Sequence, residues 1–347
     1  MYRAAIIGVG RGGAGIGGHS IGYRHAMSYL AQGQCEIAGV ADISPENLAR
    51  FSEEYGVQAA YSDYRQMLAE VRPQVVSIAV YIGLHREMVE ACVEAGVQGI
   101  WCEKPFALTM DDGRAMVEAC EQAGVRMVID HQRRYLHLFK EAKRLFQAGT
   151  VGVPVQILAN VGPPDMMEWG THWLDMIRFF LDDQPAHWVL GQVRCTGERR
   201  GYGHLQEEHG LAYIGFEDGT RGVLETLEML NGEFALRLMG SDGFIDCRWD
   251  GTLRLLNQEG MRDIPVHSNL HGVHPGYEHE EAYVLALQAL LDWMDGNAEP
   301  EISARNGLAS TELYLAAYES ARRRDRVDVP LREQSEFPLE SIAARRP

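Results

Sequence analysis

At 347 residues and 46% hydrophobic content, the chain is long enough for two domains of ordinary size, each with a sizeable core. A formal net charge of −17 argues against nucleic acid or an anionic membrane surface as a partner. Six cysteines without a C-x-x-C pair read as reduced, buried thiols; with no basic-then-apolar leader and no apolar run of membrane-spanning length, a cytoplasmic protein is expected.

The first apolar run, Ala4-Ala5-Ile6-Ile7, leads into Gly8-Val9-Gly10-Arg11-Gly12-Gly13. A short buried strand followed by G-x-G-x-x-G is the turn that lets a backbone approach a dinucleotide pyrophosphate. Gly8, Gly10, Arg11 and Gly13 are therefore candidate cofactor contacts. Residues 8–22 hold eight glycines, and glycine costs about 1 kcal/mol relative to alanine inside a helix, so the expected helix is displaced to about 22–31. Residues 14–22 read as an inserted flap. Gly13 to Ser20 is similar to a P-loop, but His19 stands at the lysine position, which argues against nucleoside triphosphate chemistry.

The second strand, Glu36 to Ala41, ends in Asp42. A carboxylate there accepts hydrogen bonds from ribose hydroxyls and repels a 2′-phosphate, which favours NAD over NADP. The competing reading, a cap for the following helix, is already served by Ser44-Pro45-Glu46. Helices are expected at 46–55, 63–71, 85–95 and 110–123, the last two ended by glycine. Apolar strands are expected at 75–80, 99–102 and 125–129. Strands apolar on both faces and alternating with helices imply a doubly wound parallel sheet over 1–130. From 131 the pattern changes. A helix over 131–147 precedes strands at 153–161, 186–195, 210–217, 221–229, 233–239 and 243–248, then long helices at 278–295 and 304–324. Short links between strands imply an open, largely antiparallel sheet in an α+β domain over 131–347.

Two groups could carry chemistry. Glu103-Lys104-Pro105 falls at the C-terminal end of a parallel strand, where doubly wound sheets bind ligands. A lysine held there, beside a positive nicotinamide ring, could act as general acid or base, with Glu103 steering it or meeting the ribose. The second group lies in an almost wholly apolar segment from Met166 to Leu181, expected to be a buried helix. Glu168, His172 and Asp175, at i, i+4 and i+7, form one polar stripe along it, with His172 the natural proton carrier. His271, His274 and His279 lie in a glycine- and proline-broken stretch matching no metal-ligand spacing, so no metal is expected. His204 and His209 carry no pattern.

Together these residues resemble the Gfo/Idh/MocA family of NAD(P)-dependent oxidoreductases. The landmarks are Gly8 to Gly13, Glu103-Lys104-Pro105-Phe106-Ala107-Leu108, His131-Gln132-Arg133-Arg134-Tyr135, Gly149-Thr150-Val151-Gly152, Gly170-Thr171-His172-Trp173-Leu174-Asp175 and Glu319-Ser320-Ala321. The resemblance implies two domains, association into homodimers or homotetramers through the C-terminal sheet, and hydride transfer between a nicotinamide cofactor and a hydroxyl carbon of a sugar-like substrate. It matches Lys104 and His172 to a proton relay. It puts Glu168 where the family commonly has aspartate, and Arg133 and Asp175 among the substrate contacts. The segment Val80-Tyr81-Ile82-Gly83-Leu84-His85 departs from Thr-Pro-x-x-x-x-His, with Tyr81 replacing proline near the nicotinamide; Val80 and His85 complete the cofactor set. The expected activity is NAD-dependent oxidation of a secondary hydroxyl of a sugar, glycoside or cyclitol. Two alternatives are a glycoside hydrolase or lyase using tightly bound NAD for transient oxidation, and a non-catalytic NAD sensor.

Overall fold

The structure, a computed structural model, describes residues 1–10, 21–162, 165–226, 234–248, 250–266 and 280–345. Arg11, Gly13, the inserted stretch up to Ser20, and His271, His274 and His279 lie outside the described residues. The chain forms two compact units, each built from segments distant in sequence.

The first unit comprises Met1–Ala107, Asp112–Gln132 and Val273–Arg305. Strand β1 (Tyr2–Ile7) ends at Gly8, whose φ is +95°; a Cβ there would stand 2.3 Å from the Ala79 carbonyl oxygen. Helix α1 (Ile21–Gln32) starts beside it, and a Cβ on Gly22 would meet the Gly8 carbonyl at 2.2 Å. Both positions therefore need glycine for a close approach of backbone to backbone. Strand β2 (Cys35–Ala41) leads to α2 (Pro45–Tyr55), capped by the Ser44 hydroxyl and closed by Gly56 in the left-handed region. Strand β3 (Ala60–Tyr61) precedes α3 (Tyr64–Val71), whose cap Asp63 accepts the Arg65 N–H. Strand β4 (Val75–Ile78), helix α4 (His85–Glu94), strand β5 (Gly99–Cys102), helix α5 (Met110–Ala123) and strand β6 (Arg126–Ile129) complete the alternation. Among the described residues the sheet runs β3-β2-β1-β4-β5-β6 and is parallel throughout. The central strands β4 and β5 are buried throughout, as an apolar run without alternation requires, while the short edge strand β3 is not.

The second unit comprises Leu108–Asp111, Arg133–Gly272 and Asn306–Pro347. The helix expected over 131–147 is broken. A 3₁₀ turn at Gln132–Tyr135 precedes α6 (His137–Gln147), because Leu136 takes an extended conformation, φ −68° and ψ 130°, between them. Strand β7 (Pro154–Val161) is followed by α7 (Gly170–Phe180) and by β8 (Ala186–Arg194). The hairpin β9 (Arg200–Gly201) and β10 (His204–Leu205) turns through Tyr202 and Gly203, with φ of 51° and 86°. Two consecutive positive φ values give the tight turn that matches strand twist. Strands β11 (His209–Phe216), β12 (Arg221–Thr226), β13 (Phe234–Gly240), β14 (Gly243–Arg248), β15 (Thr252–Asn257) and β16 (Gly260–Pro265) follow. Helix α8 (Glu280–Met294) belongs to the first unit; the sequence boundary at 130/131 does not anticipate this return. It packs on α1 with a Gln32–Gln288 side-chain hydrogen bond of 2.9 Å, and its Met294 sulfur fills the space a Cβ on Gly99 would need. Helix α9 (Ala304–Arg323), strand β17 (Val327–Asp328) and helix α10 (Pro338–Ala343) end the chain.

The second sheet runs β16-β15-β14-β13-β7-β12-β11-β8-β17. It is largely antiparallel, as expected: β12 pairs with β7 in parallel, and the remaining pairs are antiparallel. The crossover through α7 and β8 returns the chain beside β7 in its own direction, which no hairpin can do. Strands β15 and β16 were not read from the sequence, since the exposed β16 lacks alternation. Along β7 and β12 buried residues alternate with partly exposed ones, the signature of a sheet covered on one face. Among the described residues no helix is long and apolar enough to cross a membrane, and all six cysteines are buried and free.

One ion cluster holds the core of this unit. Arg134, wholly buried, donates to both carboxylate oxygens of Asp175 at 2.7 and 2.8 Å and to those of Asp183 at 2.7 Å each. Arg178 donates to the Asn306 carbonyl and the Ser310 hydroxyl, and that hydroxyl donates to Asp175 at 2.8 Å. Removing the guanidinium would leave a buried carboxylate uncompensated. Arg134→Met is expected to lose about 3–5 kcal/mol in urea unfolding; a loss below about 1 kcal/mol would show that the cluster is structurally idle.

Candidate active site

In the first unit the candidate cofactor residues lie beyond the C-terminal ends of adjacent strands. Gly8 follows β1, Asp42 follows β2, Val80 and Tyr81 follow β4, and Glu103 and Lys104 follow β5. Strand order reverses between β1 and β4, the point at which an open parallel sheet leaves a crevice for a ligand. Contacts tie these loops to one another. Asp42 accepts the Val9 N–H at 2.9 Å through Oδ2, and the Ser44 N–H and Asn47 side-chain amide through Oδ1 at 2.8 and 3.1 Å. It does not cap α2, since the Ser44 hydroxyl accepts the Asn47 N–H. A Cβ on Gly10 would sit 3.4 Å from the Asn47 amide nitrogen. The aspartate thus holds the glycine turn in shape. Each carboxylate oxygen can accept two hydrogen bonds, so Oδ2 retains one acceptor position.

Val80 and His85 brace the next loop. The His85 ring nitrogens stand 3.1 Å from the Val80 and Phe106 carbonyls, and burial pushes the ring below its ordinary pKa. It is therefore neutral near pH 7 and donates to one of the two. This histidine ties the loop after β4 to the one after β5 rather than presenting itself to solvent. Tyr81 is 59% exposed at the mouth of its loop. Glu103 is buried. It receives the Lys104 backbone N–H at 3.2 Å through Oε2 and faces the His25 ring with Oε1. Lys104 is partly exposed, and the Lys104–Pro105 peptide is cis.

In the second unit all of α7 is buried, including its polar residues His172, Asp175 and Arg178. The polar stripe does not run along one helix, because Glu168 lies in the turn before it. That turn is built by Asp165, whose Oδ1 accepts the Met167 and Glu168 N–H groups at 2.9 Å each. Glu168, His172 and Asp175 are all buried. Asp175 is engaged by Arg134 and Ser310, whereas Arg133 lies over the Trp173 ring, 4.4 Å from its centroid. Such stacking fixes a guanidinium without consuming its donors.

Sequence reading missed four residues here. His204 Nε2 stands 3.6 Å from Glu168 Oε1, and burial pushes its pKa down to about 4, so the ring is neutral beside the carboxylate. The one available signal was Gly201-Tyr202-Gly203, a two-residue hairpin turn that fixes His204. Asp165, Glu207 and Tyr318 have no motif. Tyr318 donates to Glu207 Oε2 at 2.8 Å, and Glu207 Oε1 accepts the Met166 N–H. Burial first pushes Asp165 and Glu207 up to about 7; the Glu168 charge adds to the rise at Asp165, and the Asp165 charge to the rise at Glu207.

The sign of the pH effect follows. A carboxyl whose folded pKa is raised stabilises the fold below its unfolded pKa, and that stability is lost as pH rises through the folded value. Glu207→Gln, neutral at every pH, is expected to raise the melting temperature relative to wild type at about pH 8 and to match it below about pH 4. An unchanged difference across that range would remove Glu207 from the titration.

Residues 2–131 match the family model GFO_IDH_MocA, described as an oxidoreductase family with an NAD-binding Rossmann fold. The chain is 26% identical to a D-apiose dehydrogenase of Paraburkholderia graminis, over 89% of this chain and 87% of that protein. It is 24% identical to a myo-inositol 2-dehydrogenase of Thermotoga maritima, over 92% of this chain and 96% of the relative. A solved oxidoreductase from Agrobacterium radiobacter, in complex with NAD+, L-tartaric acid and magnesium, shares the fold with a TM-score of 0.79 at 21% identity, covering 94% of this chain and 98% of its own. With the glycine turn, Asp42 and the Glu103-Lys104-Pro105 turn gathered at one edge of a parallel sheet, residues 2–131 are the NAD-binding Rossmann part of the kind found in the Gfo/Idh/MocA oxidoreductases.

Proposed function

We propose that this protein oxidises a secondary hydroxyl of a neutral sugar or cyclitol with NAD, Lys104 and His172 handling the hydroxyl proton. The observation that carries the reading is the position of Lys104. It follows β5 on the edge of the sheet that also holds the glycine turn and Asp42. The residues fit a dinucleotide: Gly8 and Gly10 form a close turn, and Asp42 Oδ2 keeps an acceptor position for a ribose hydroxyl. NAD, when bound, supplies the hydride acceptor. The chain itself supplies positioning and proton transfer.

The substrate class is supported by the D-apiose and myo-inositol dehydrogenases, whose named substrates are neutral polyhydroxyl compounds. It is supported also by the second unit, where Glu168, neutral His204 and His172 offer buried acceptors and donors suited to hydroxyl groups. In this reading Arg133, stacked on Trp173, contributes its fork of donors to substrate hydroxyls.

A panel of pentoses, hexoses, glycosides and inositols, followed at the nicotinamide absorbance with NAD and NADP, tests the reading. Turnover of a glycoside without added NAD, by protein that co-purifies with the cofactor, would favour the transient-oxidation chemistry instead. Lys104→Ala is expected to lower kcat by about 10²–10⁴-fold, and full turnover by this variant would reject the lysine as the proton handler. Asp42→Asn is expected to reduce the preference for NAD over NADP by at least about tenfold, since it removes the charge that repels a 2′-phosphate; an unchanged preference would place cofactor choice elsewhere.

A further inference from the structure

Three ionisable side chains meet out of water behind the Glu103–Lys104 turn. His25 lies on α1, Glu103 follows β5 and Asp130 follows β6, and they are 0%, 5% and 1% exposed. His25 Nε2 stands 3.1 Å from Glu103 Oε1 and 3.9 Å from Asp130 Oδ2. The imidazole is stacked on the Trp101 indole, with centroids 3.7 Å apart and planes 13° from parallel. The far side of each carboxylate is also held. The Trp101 indole N–H donates to Asp130 Oδ1 at 3.3 Å, and the Lys104 backbone N–H donates to Glu103 Oε2 at 3.2 Å.

Burying three such groups is unfavourable unless they pair. Burial alone would lower the His25 pKa, but the two facing carboxylates carry it above its ordinary value. Burial would raise Glu103, yet contact with His25 holds it below the usual carboxylate range. Burial and the Glu103 charge push Asp130 up to about 7. The cluster thus sets one imidazole nitrogen against a close carboxylate, with a second carboxylate behind it. A core that needed only filling would use apolar side chains at these positions. What the cluster fixes is the Glu103 carboxylate, and the group Glu103 grips with its other oxygen is the peptide N–H of Lys104.

We propose that His25, Glu103 and Asp130 form a buried ion triad that positions Lys104, with His25 and Asp130 acting only through Glu103. The proposal rests on the reading of Lys104 as the proton-handling group. His25 sits one turn into the helix that follows the glycine turn, so the triad ties the element at the cofactor phosphates to the turn that carries the lysine. His25 and Asp130 are positioning residues.

The test is a double-mutant cycle in steady-state turnover. His25→Gln keeps a donor and loses the charge; His25→Phe keeps the ring on Trp101 and loses both. In the Lys104 background, His25→Phe is expected to lower kcat by about 10²-fold and His25→Gln by about tenfold, with NAD affinity changed less than about threefold in fluorescence titration. In a Lys104→Met background neither is expected to lower kcat further by more than about twofold. Retention of kcat by His25→Phe, or an equal loss in both backgrounds, would overturn the proposal. Full turnover by Lys104→Met alone would reject the lysine reading instead. Should His25→Phe fail to fold, His25→Gln and Asp130→Asn carry the same cycle, each with an expected loss of about tenfold. Should the Lys104→Met rate fall below detection, reductive methylation of Lys104 followed by peptide mass spectrometry reads the lysine directly. A rate changed by at least about threefold in His25→Gln supports positioning, and an unchanged rate overturns it. The three donor atoms lie within 4.8 Å of one another, so one equivalent of metal retained by wild type and lost in His25→Gln would also overturn an ion triad.

Discussion

The first unit depends on a contact that only glycine permits. At the end of β1 the Gly8 backbone lies against the Ala79 carbonyl on one side and the start of α1 on the other, where Gly22 meets the Gly8 carbonyl. A single Cβ at either position would stand less than 2.5 Å from a backbone oxygen, and backbone cannot give way cheaply. Because α1 can seat that closely, its His25 reaches Glu103 and its Tyr29 hydroxyl reaches Ser77 on β4 at 2.8 Å. The phosphate turn, the loop after β4 and the Glu103–Lys104 turn are therefore one mechanical assembly.

Both units bury charge, and they do so in different ways. Arg134, Asp175 and Asp183 form a cluster in which the guanidinium meets both oxygens of each carboxylate, which favours rigidity. Asp165 and Glu207 form the opposite case, two buried acids, crowded by the charge of a neighbouring acid, that hold protons exposed carboxyls would release. Tyr318 and backbone N–H groups supply hydrogen-bond donors to them, and the Arg199 charge only partly offsets the effect of burial on Asp165. The turn that presents Glu168 is thus built on a carboxyl group whose charge varies near neutral pH.

Much of the placement of the candidate residues was legible because it sits in local patterns. The apolar run into Gly8 and the strand ending at Asp42 are sequence-adjacent features with fixed meaning. The glycine count over residues 8–22 displaced α1 to its observed place, beginning at Ile21. The buried segment 166–181 was legible as apolar on all sides, but not its division into a turn and a helix. Asp165 makes that division through two backbone hydrogen bonds that no periodicity reports. Apart from the hairpin turn before His204, neither His204 nor Glu207 carries a signal, because their partners, Glu168 and Tyr318, are distant in the chain.

The sequence by itself determined the parallel sheet, the glycine turn, the carboxylate at Asp42 and the lysine at a strand end. Each follows from steric limits or hydrophobic periodicity within a few residues. Only the tertiary structure decided that α8 returns to the first unit, that β12 runs parallel to β7, and that His25 and Asp130 converge on Glu103. Those outcomes depend on which distant surfaces fit. A buried ionisable group can be accepted only where its partner arrives from elsewhere in the chain, and burial is a property of the packed fold, not of any residue's neighbours in sequence.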